Sequence, residues 1–226
     1  MNGLLLVDKP KNWTSFDVVA KVRGTLKKSG VAKPKVGHTG TLDPLATGLL
    51  VLTLGAYCKR ASEFSKLDKT YEVEMTLGKT STTDDGEGEI TNISDNKPTQ
   101  SDINEVINSF VGKIQQTPPA FSAIKVNGKR AYKLAREGKE VKIEPRAVMI
   151  HKITEVEYNY PVVTFTAEVS SGTYIRSLVR DIGEKFGTGA YMSNLRRTSV
   201  SEFQVTEAFK PESLSPKDIE NNIIDK

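Results

Sequence analysis

Two stretches of strict alternation constrain this chain more than anything else in it. In Tyr71-Glu-Val-Glu-Met-Thr-Leu77, the residues Tyr71, Val73, Met75 and Leu77 fall on one side of an extended backbone. Val163, Phe165, Ala167 and Val169 alternate in the same way with Thr164, Thr166, Glu168 and Ser170. A period of two predicts half-buried strands. Gly3–Val7 and Leu49–Leu54 read as further, fully buried strands. Helical spacing takes over between them. Thr14 and Ser15 are candidate N-caps for a helix through Lys28, with Asp17 in its first turn and Phe16, Val19, Val22 and Leu26 on one face. Ile103, Val106, Ile107 and Phe110 stripe a second helix from Ser101, and a third runs from Gly172-Thr173 to Phe186, where Gly187 stops it. Asn127-Gly128 suits a type I′ hairpin between Ser122–Val126 and Lys129-Arg130, and a short helix follows over Ala131–Glu137. With no internal repeat and no linker, one α+β domain is the economical expectation.

The chain has 226 residues and a net charge of +4, but the distribution says more than the total. Residues 1–60 carry +7, residues 61–110 carry −7, residues 111–150 carry +6 and residues 151–226 carry −2. Two basic segments flanking an acidic one are either solvated faces or the footprint of a polyanion, most often nucleic acid. No apolar run is long enough to cross a bilayer, no signal segment opens the chain, and the single Cys58 fits a reducing cytoplasm.

Several familiar chemistries are excluded. Gly78-Lys79-Thr80 lacks the upstream glycine of a phosphate-binding loop, since Val73 stands there. Asp84-Asp85-Gly86-Glu87 lacks the alternate ligands of a calcium loop. His38, His151 and Cys58 have no zinc spacing, and no nucleophile elbow is present. What stands out instead is Gly37-His-Thr-Gly-Thr-Leu-Asp-Pro-Leu-Ala-Thr-Gly48. Its plain reading makes Asp43 an N-cap, Pro44 the first helical residue, and the glycines suppliers of positive φ. Its other reading is chemical: a carboxylate in the basic part of the chain, braced by a buried apolar run, equipped as nucleophile or proton acceptor on a nucleic acid.

This dodecapeptide closely resembles the catalytic motif of the tRNA pseudouridine synthase B family, which isomerises uridine 55 in the TΨC loop. The resemblance continues in order through Leu6-Val-Asp-Lys-Pro10 with Thr14-Ser15, Asp68-Lys-Thr-Tyr-Glu-Val73, Ser122-Ala-Ile-Lys125 through Tyr132 and Gly138, Gly172-Thr-Tyr-Ile-Arg-Ser-Leu178, and Leu195-Arg-Arg197. It covers about residues 3 to 205 and implies a pseudouridine-synthase fold: a mixed, mostly antiparallel curved sheet flanked by helices. A catalytic domain is expected over 1–206, with a thumb-like insertion at about 115–150. A short tail over 207–226 would replace the RNA-binding PUA-type domain common in relatives, which puts affinity for the acceptor region in question.

The resemblance implies Asp43 as the catalytic carboxylate. Attack at C1′, addition to uracil C6 and removal of the C2′ proton all stay open. Arg176 would keep that carboxylate charged, against the alternative of a surface ion pair with Asp181 or a nearby Glu. Tyr71 would stack on the target base, against the alternative of a core ring; Tyr174 and Leu195 would line the same pocket. The base must be flipped out of the loop, and His38 would fill the gap, unless it is only a turn residue. Lys9, Lys59, Arg60, Lys125, Lys129, Arg130, Arg196 and Arg197 are candidate phosphate contacts. The reaction conserves atoms, so no cofactor or metal is expected. The expected partner is the T-arm of tRNA, and the expected state a cytoplasmic monomer. A non-catalytic RNA-binding factor would share the groove without needing Asp43, and a carbohydrate glycosidase would need a second, suitably spaced acid.

Overall fold

A computed structural model describes residues 1–126 and 128–226; Asn127 of the expected Asn-Gly turn lies outside them. The chain divides into two compact units, Met1–Glu72 with Leu195–Lys226, and Val73–Asn194.

In the first unit, β1 (Gly3–Lys9) leads through Pro10 into α1 (Ser15–Lys28). Thr14 caps α1 and Asp17 returns the bond, a capping box that satisfies two otherwise bare N–H groups. The buried side of α1 is Ser15, Val18, Val19, Val22 and Leu26, whereas Phe16 is 63% exposed. At 100° per residue Phe16 falls a quarter-turn outside the stripe centred on Ser15, Val19, Val22 and Leu26, so the expectation that it faces the core is corrected. β2 (Val36–His38) and β1 both pair antiparallel with β3 (Thr47–Leu54), on opposite edges. Alternation then sorts the core. Leu5, Val7, Leu50, Leu52 and Leu54 face α1, and Leu4, Leu6, Leu49 and Val51 face Tyr57 and Phe64. Phe64 belongs to α2 (Ala61–Ser65), after which β4 (Lys69–Leu77) begins.

β4 crosses into the second unit, where Val73, Met75 and Leu77 are buried as the alternation predicts. A small hairpin follows, β5 (Lys79–Ser81) with β6 (Ile90–Asn92). α3 (Gln100–Asn108) is capped by Thr99 and buries Ile103 and Ile107. β7 (Gly112–Gln116) follows. The insertion after it holds β8 (Lys125–Val126), β9 (Lys129–Arg130) and α4 (Ala131–Arg136). β10 (Arg146–Asn159) then pairs antiparallel with both β7 and β11 (Val162–Val169). α5 (Ile175–Phe186) buries Ile175, Leu178, Val179 and Ile182 and stops at left-handed Gly187, as expected.

β12 (Ala190–Val200) carries the chain back into the first unit. There Arg196 and Arg197 pair in parallel register with Thr47 and Gly48, and β13 (Phe203–Gln204) folds back on Val200. Residues 207–226, expected as a short tail, are built into this unit. Phe209 bridges to Val7 and Ile224 to Leu4, while Leu214 and Ile219 of the segment around α6 (Pro216–Asn221) join the α1 core. The α+β class and the mostly antiparallel strands are as expected. No described helix is long and apolar enough to cross a membrane.

Candidate active site

Asp43 sits in the loop between β2 and β3, half-buried, and it caps no helix. Ala46 N–H donates to the Asp43 carbonyl at 3.1 Å, so Asp43-Pro44-Leu45-Ala46 is a turn with Pro44 in its second place, and the chain passes straight into β3. The N-cap reading is corrected on that ground. Of the three glycines in the motif only Gly48 has positive φ, +101°.

The rest of the loop is held from several sides. Ser15 Oγ accepts from Leu42 N at 2.8 Å and donates to Leu42 O at 3.0 Å. Asn12 N–H donates to Pro44 O at 2.8 Å, and Thr39 N–H to Val51 O at 3.1 Å. Leu42, Leu45 and Ala46 are buried beneath it. A carboxylate mounted this way has little freedom to reorganise.

Two residues expected to touch phosphate have other work. Lys9 is wholly buried, and its ammonium donates to the carbonyls of Pro10 at 3.0 Å, Trp13 at 2.5 Å and Pro44 at 3.4 Å. It ties the end of β1 to the Asp43 turn and offers no surface to a polyanion. Arg197 is likewise buried, donating through Nε to Leu49 O at 2.7 Å and through Nη2 to Gly40 O at 3.0 Å. It braces the loop from below. Arg196 makes a two-pronged ion pair with Asp8, at 3.0 and 2.9 Å. Lys59, Lys125, Lys129 and Arg130 are exposed. Arg60 pairs with Glu63 at 3.1 Å and lies over the Tyr57 ring.

His38 closes β2, five residues before Asp43. Burial first, and the Arg197 charge second, hold its pKa below the ordinary histidine range. Its Nδ1 is buried with no hydrogen-bond partner among the described residues. Tyr71 is buried on β4, next to Thr70, whose carbonyl accepts from Thr198 at 3.3 Å. Leu195 is buried where β12 enters this unit, its carbonyl 3.5 Å from Thr47 Oγ1. Lys69, two residues before Tyr71, is also buried. Its ammonium donates to Ser65 O at 3.0 Å and to Leu67 O, and burial, then Arg197, lowers its pKa to about 8.

In the second unit Arg176 is buried in the first turn of α5. It donates to Thr83 O at 3.2 Å and Phe121 O at 2.9 Å, and its Nη1 lies 3.4 Å from the buried carboxylate of Asp85. Asp181, the surface partner weighed against that role, is taken by Arg180 at 2.8 Å, as is Asp84 at 3.0 Å. Asp85 lies in the acidic run that lacks the ligands of a calcium loop, and sequence pattern gave it no role. Its Oδ1 accepts from Thr83 Oγ1 at 2.6 Å and Glu87 N at 3.0 Å. The Thr-x-Asp-x-Glu spacing, a threonine and an amide two residues either side of one carboxylate, was the signal available.

The family model for "TruB family pseudouridylate synthase (N terminal domain)" matches residues 27–175. The chain belongs to the TruB family. A second model, for the tRNA pseudouridylate synthase B C-terminal domain, matches residues 176–221. Among TruB relatives, tRNA pseudouridine synthase B of Parabacteroides distasonis is 43% identical over 223 residues, covering 98% of this chain and 94% of its own. That of Chloroherpeton thalassium is 46% identical over 208 residues, 90% of this chain and 85% of its own. The crystal structure of a Cbf5-Nop10-Gar1 complex contains a chain that superposes with a TM-score of 0.72 at 30% identity. The match takes in 94% of this chain and 53% of that one, so this TruB chain spans about half the length of its solved neighbour.

Proposed function

We propose that this chain isomerises uridine to pseudouridine at position 55 in the T-loop of tRNA, acting as a cytoplasmic monomer. The observation that carries the reading is the mounting of Asp43: a half-buried carboxylate on a turn whose neighbours are tied down by Ser15, Asn12, Lys9 and Arg197. Such a mount suits a group that must meet a glycosidic bond in one geometry. In this reading Asp43, Tyr71 and Arg176 are the catalytic residues. Asp43 acts on the nucleoside while the N1–C1′ bond breaks, the uracil turns and C5 rejoins C1′. Tyr71 stacks on the base. Arg176 supplies the positive charge that favours an ionised carboxylate. Neutral His38, with its ring partly sunk and one nitrogen bare, enters the gap left by the flipped nucleotide. Tyr174 and Leu195 line the base pocket, and Lys59 touches phosphate. The tRNA is the substrate named for the relatives, and the basic segments of this chain support it.

A T-arm stem-loop transcript tests this. The wild type converts one loop uridine, and Asp43→Asn binds the transcript within a few-fold but converts none. Conversion by Asp43→Asn at the wild-type rate overturns the assignment. Binding without any conversion by the wild type identifies a non-catalytic RNA-binding factor instead.

A further inference from the structure

Tyr174, the residue before α5, is held more firmly than a helix entry requires. Its side chain caps nothing. Its N–H donates to Gln116 Oε1 at 2.8 Å, and its carbonyl accepts from Gln116 Nε2 at 3.0 Å. The side-chain amide thus pairs with a single residue as a strand neighbour would. Gln116 is fully buried, and across the β7–β10 ladder it stands directly opposite Arg146. The Arg146 guanidinium lies over the Tyr174 ring, 5.1 Å from its centroid, and its Nη2 donates to the carbonyl of Gly172. Two cross-strand neighbours therefore grip one tyrosine, by its backbone and by its ring.

This grip leaves polar atoms bare. Arg146 Nε and Thr173 Oγ1 are both buried without a hydrogen-bond partner among the described residues. Buried N–H groups in folded proteins nearly always find partners. A guanidinium that forgoes one while keeping its place on a ring marks that contact as what the position serves, because breaches of this local rule concentrate at functional sites. A lysine would keep the charge but lose both the planar stack and the fork that reaches Gly172.

We infer that Arg146 and Gln116 form a positioning clamp on Tyr174. The clamp fixes the tyrosine ring and the first turn of α5, and through it Arg176, two residues along. Neither clamp residue touches substrate; both act through Tyr174. The catalytic consequence rests on the isomerase reading, whereas the clamp itself does not.

The test is a double-mutant cycle joined to a fluorine signal. Arg146→Ala lowers kcat on the stem-loop by about tenfold with KM little changed. In a Tyr174→Ala background the same change lowers it by less than about twofold. Arg146→Lys falls between wild type and Arg146→Ala. In protein labelled with 3-fluorotyrosine, the Tyr174 resonance, assigned through Tyr174→Phe, moves in Arg146→Ala with no RNA present. A tenfold loss that persists in the Tyr174→Ala background overturns the clamp, and so does a Tyr174 resonance that stays in place. If the wild type makes no pseudouridine, the isomerase reading falls, and the fluorine signal alone decides the clamp.

Discussion

Gly48→Ala tests whether the Asp43 loop is held by its far end. Gly48 has φ +101°, and a Cβ there would stand 2.2 Å from Arg197 O and 2.7 Å from Arg197 N. Both are backbone atoms of the parallel β3–β12 register, so no rotamer change relieves the clash. The left-handed backbone costs about 1–2 kcal/mol for a residue with a Cβ, and overpacking a tight site adds about 1–3 kcal/mol. The loss of about 2–5 kcal/mol should be read from urea unfolding, and it corresponds to a fall of roughly 10 °C in Tm for a chain of this size. The control is Gly24→Ala in α1, where nothing lies within 4 Å and φ is helical. It should gain about 0.5–1 kcal/mol from helix propensity. Conversion of the stem-loop by Gly48→Ala should fall further than its folded fraction, because the substitution pries Arg197 away from Leu49 and Gly40. A Gly48→Ala protein melting within about 2 °C of wild type would refute the reasoning, since it would mean that the strand pair accommodates a methyl group the geometry forbids.

Two more predictions separate buried cations from exposed ones. Lys9→Met strips a donor from three backbone carbonyls, and each buried acceptor left bare costs about 1–3 kcal/mol. Its Tm should drop by several degrees while the salt dependence of RNA affinity keeps its slope; Lys59→Ala should leave Tm alone and reduce that slope by about one. The reverse pattern would return Lys9 to the phosphate contacts. Lys69 gives a pH test. Its folded pKa, about 8, lies below its unfolded value, so between about pH 8 and 10.5 the unfolded chain holds more protons and stability rises with pH. Relative to Lys69→Met, wild-type stability should therefore gain up to about 3 kcal/mol across that window and lose it again as pH falls through 8. A difference between the two proteins that is flat from pH 7 to 10.5 would show that Lys69 is not desolvated.

What the sequence made legible was local. The capping box of α1 needs only Thr14 and Asp17, the alternation of β4 needs only its own residues, and Gly187 ends α5 without help from elsewhere. Phe16 looks like a core residue in the sequence because three apolar neighbours at roughly the right spacing conceal a quarter-turn of phase. The Asp43 turn is ambiguous for a different reason: Asp-Pro begins a helix or a β-turn with equal ease, and the choice is made by the residues after Ala46 entering a strand paired to β1. Arg176 and Asp85 are 91 positions apart in the chain, and nothing in either stretch announces the other. Apolar residues are sparse over 207–226, yet Leu214 and Ile219 find a core that α1 has already built.

Charge counting failed where tertiary structure supplies acceptors. The first sixty residues carry ten basic side chains, each a unit charge in the sequence. Lys9 spends its charge on carbonyls beneath the Asp43 turn, and Arg60 on Glu63 and two rings, while Lys59 stays exposed. In the late basic pair, Arg197 is consumed by Leu49 and Gly40, and Arg196 by Asp8. The footprint left for a polyanion is therefore narrower than the net charge suggests, and the buried members have another place in the proposed reaction. They hold the loop that carries the carboxylate, so neutralising one should disturb catalysis through geometry before it disturbs binding through charge. Basic residues near the site thus fall into two classes. A substitution that changes the salt slope and one that changes Tm report on different parts of the same machine.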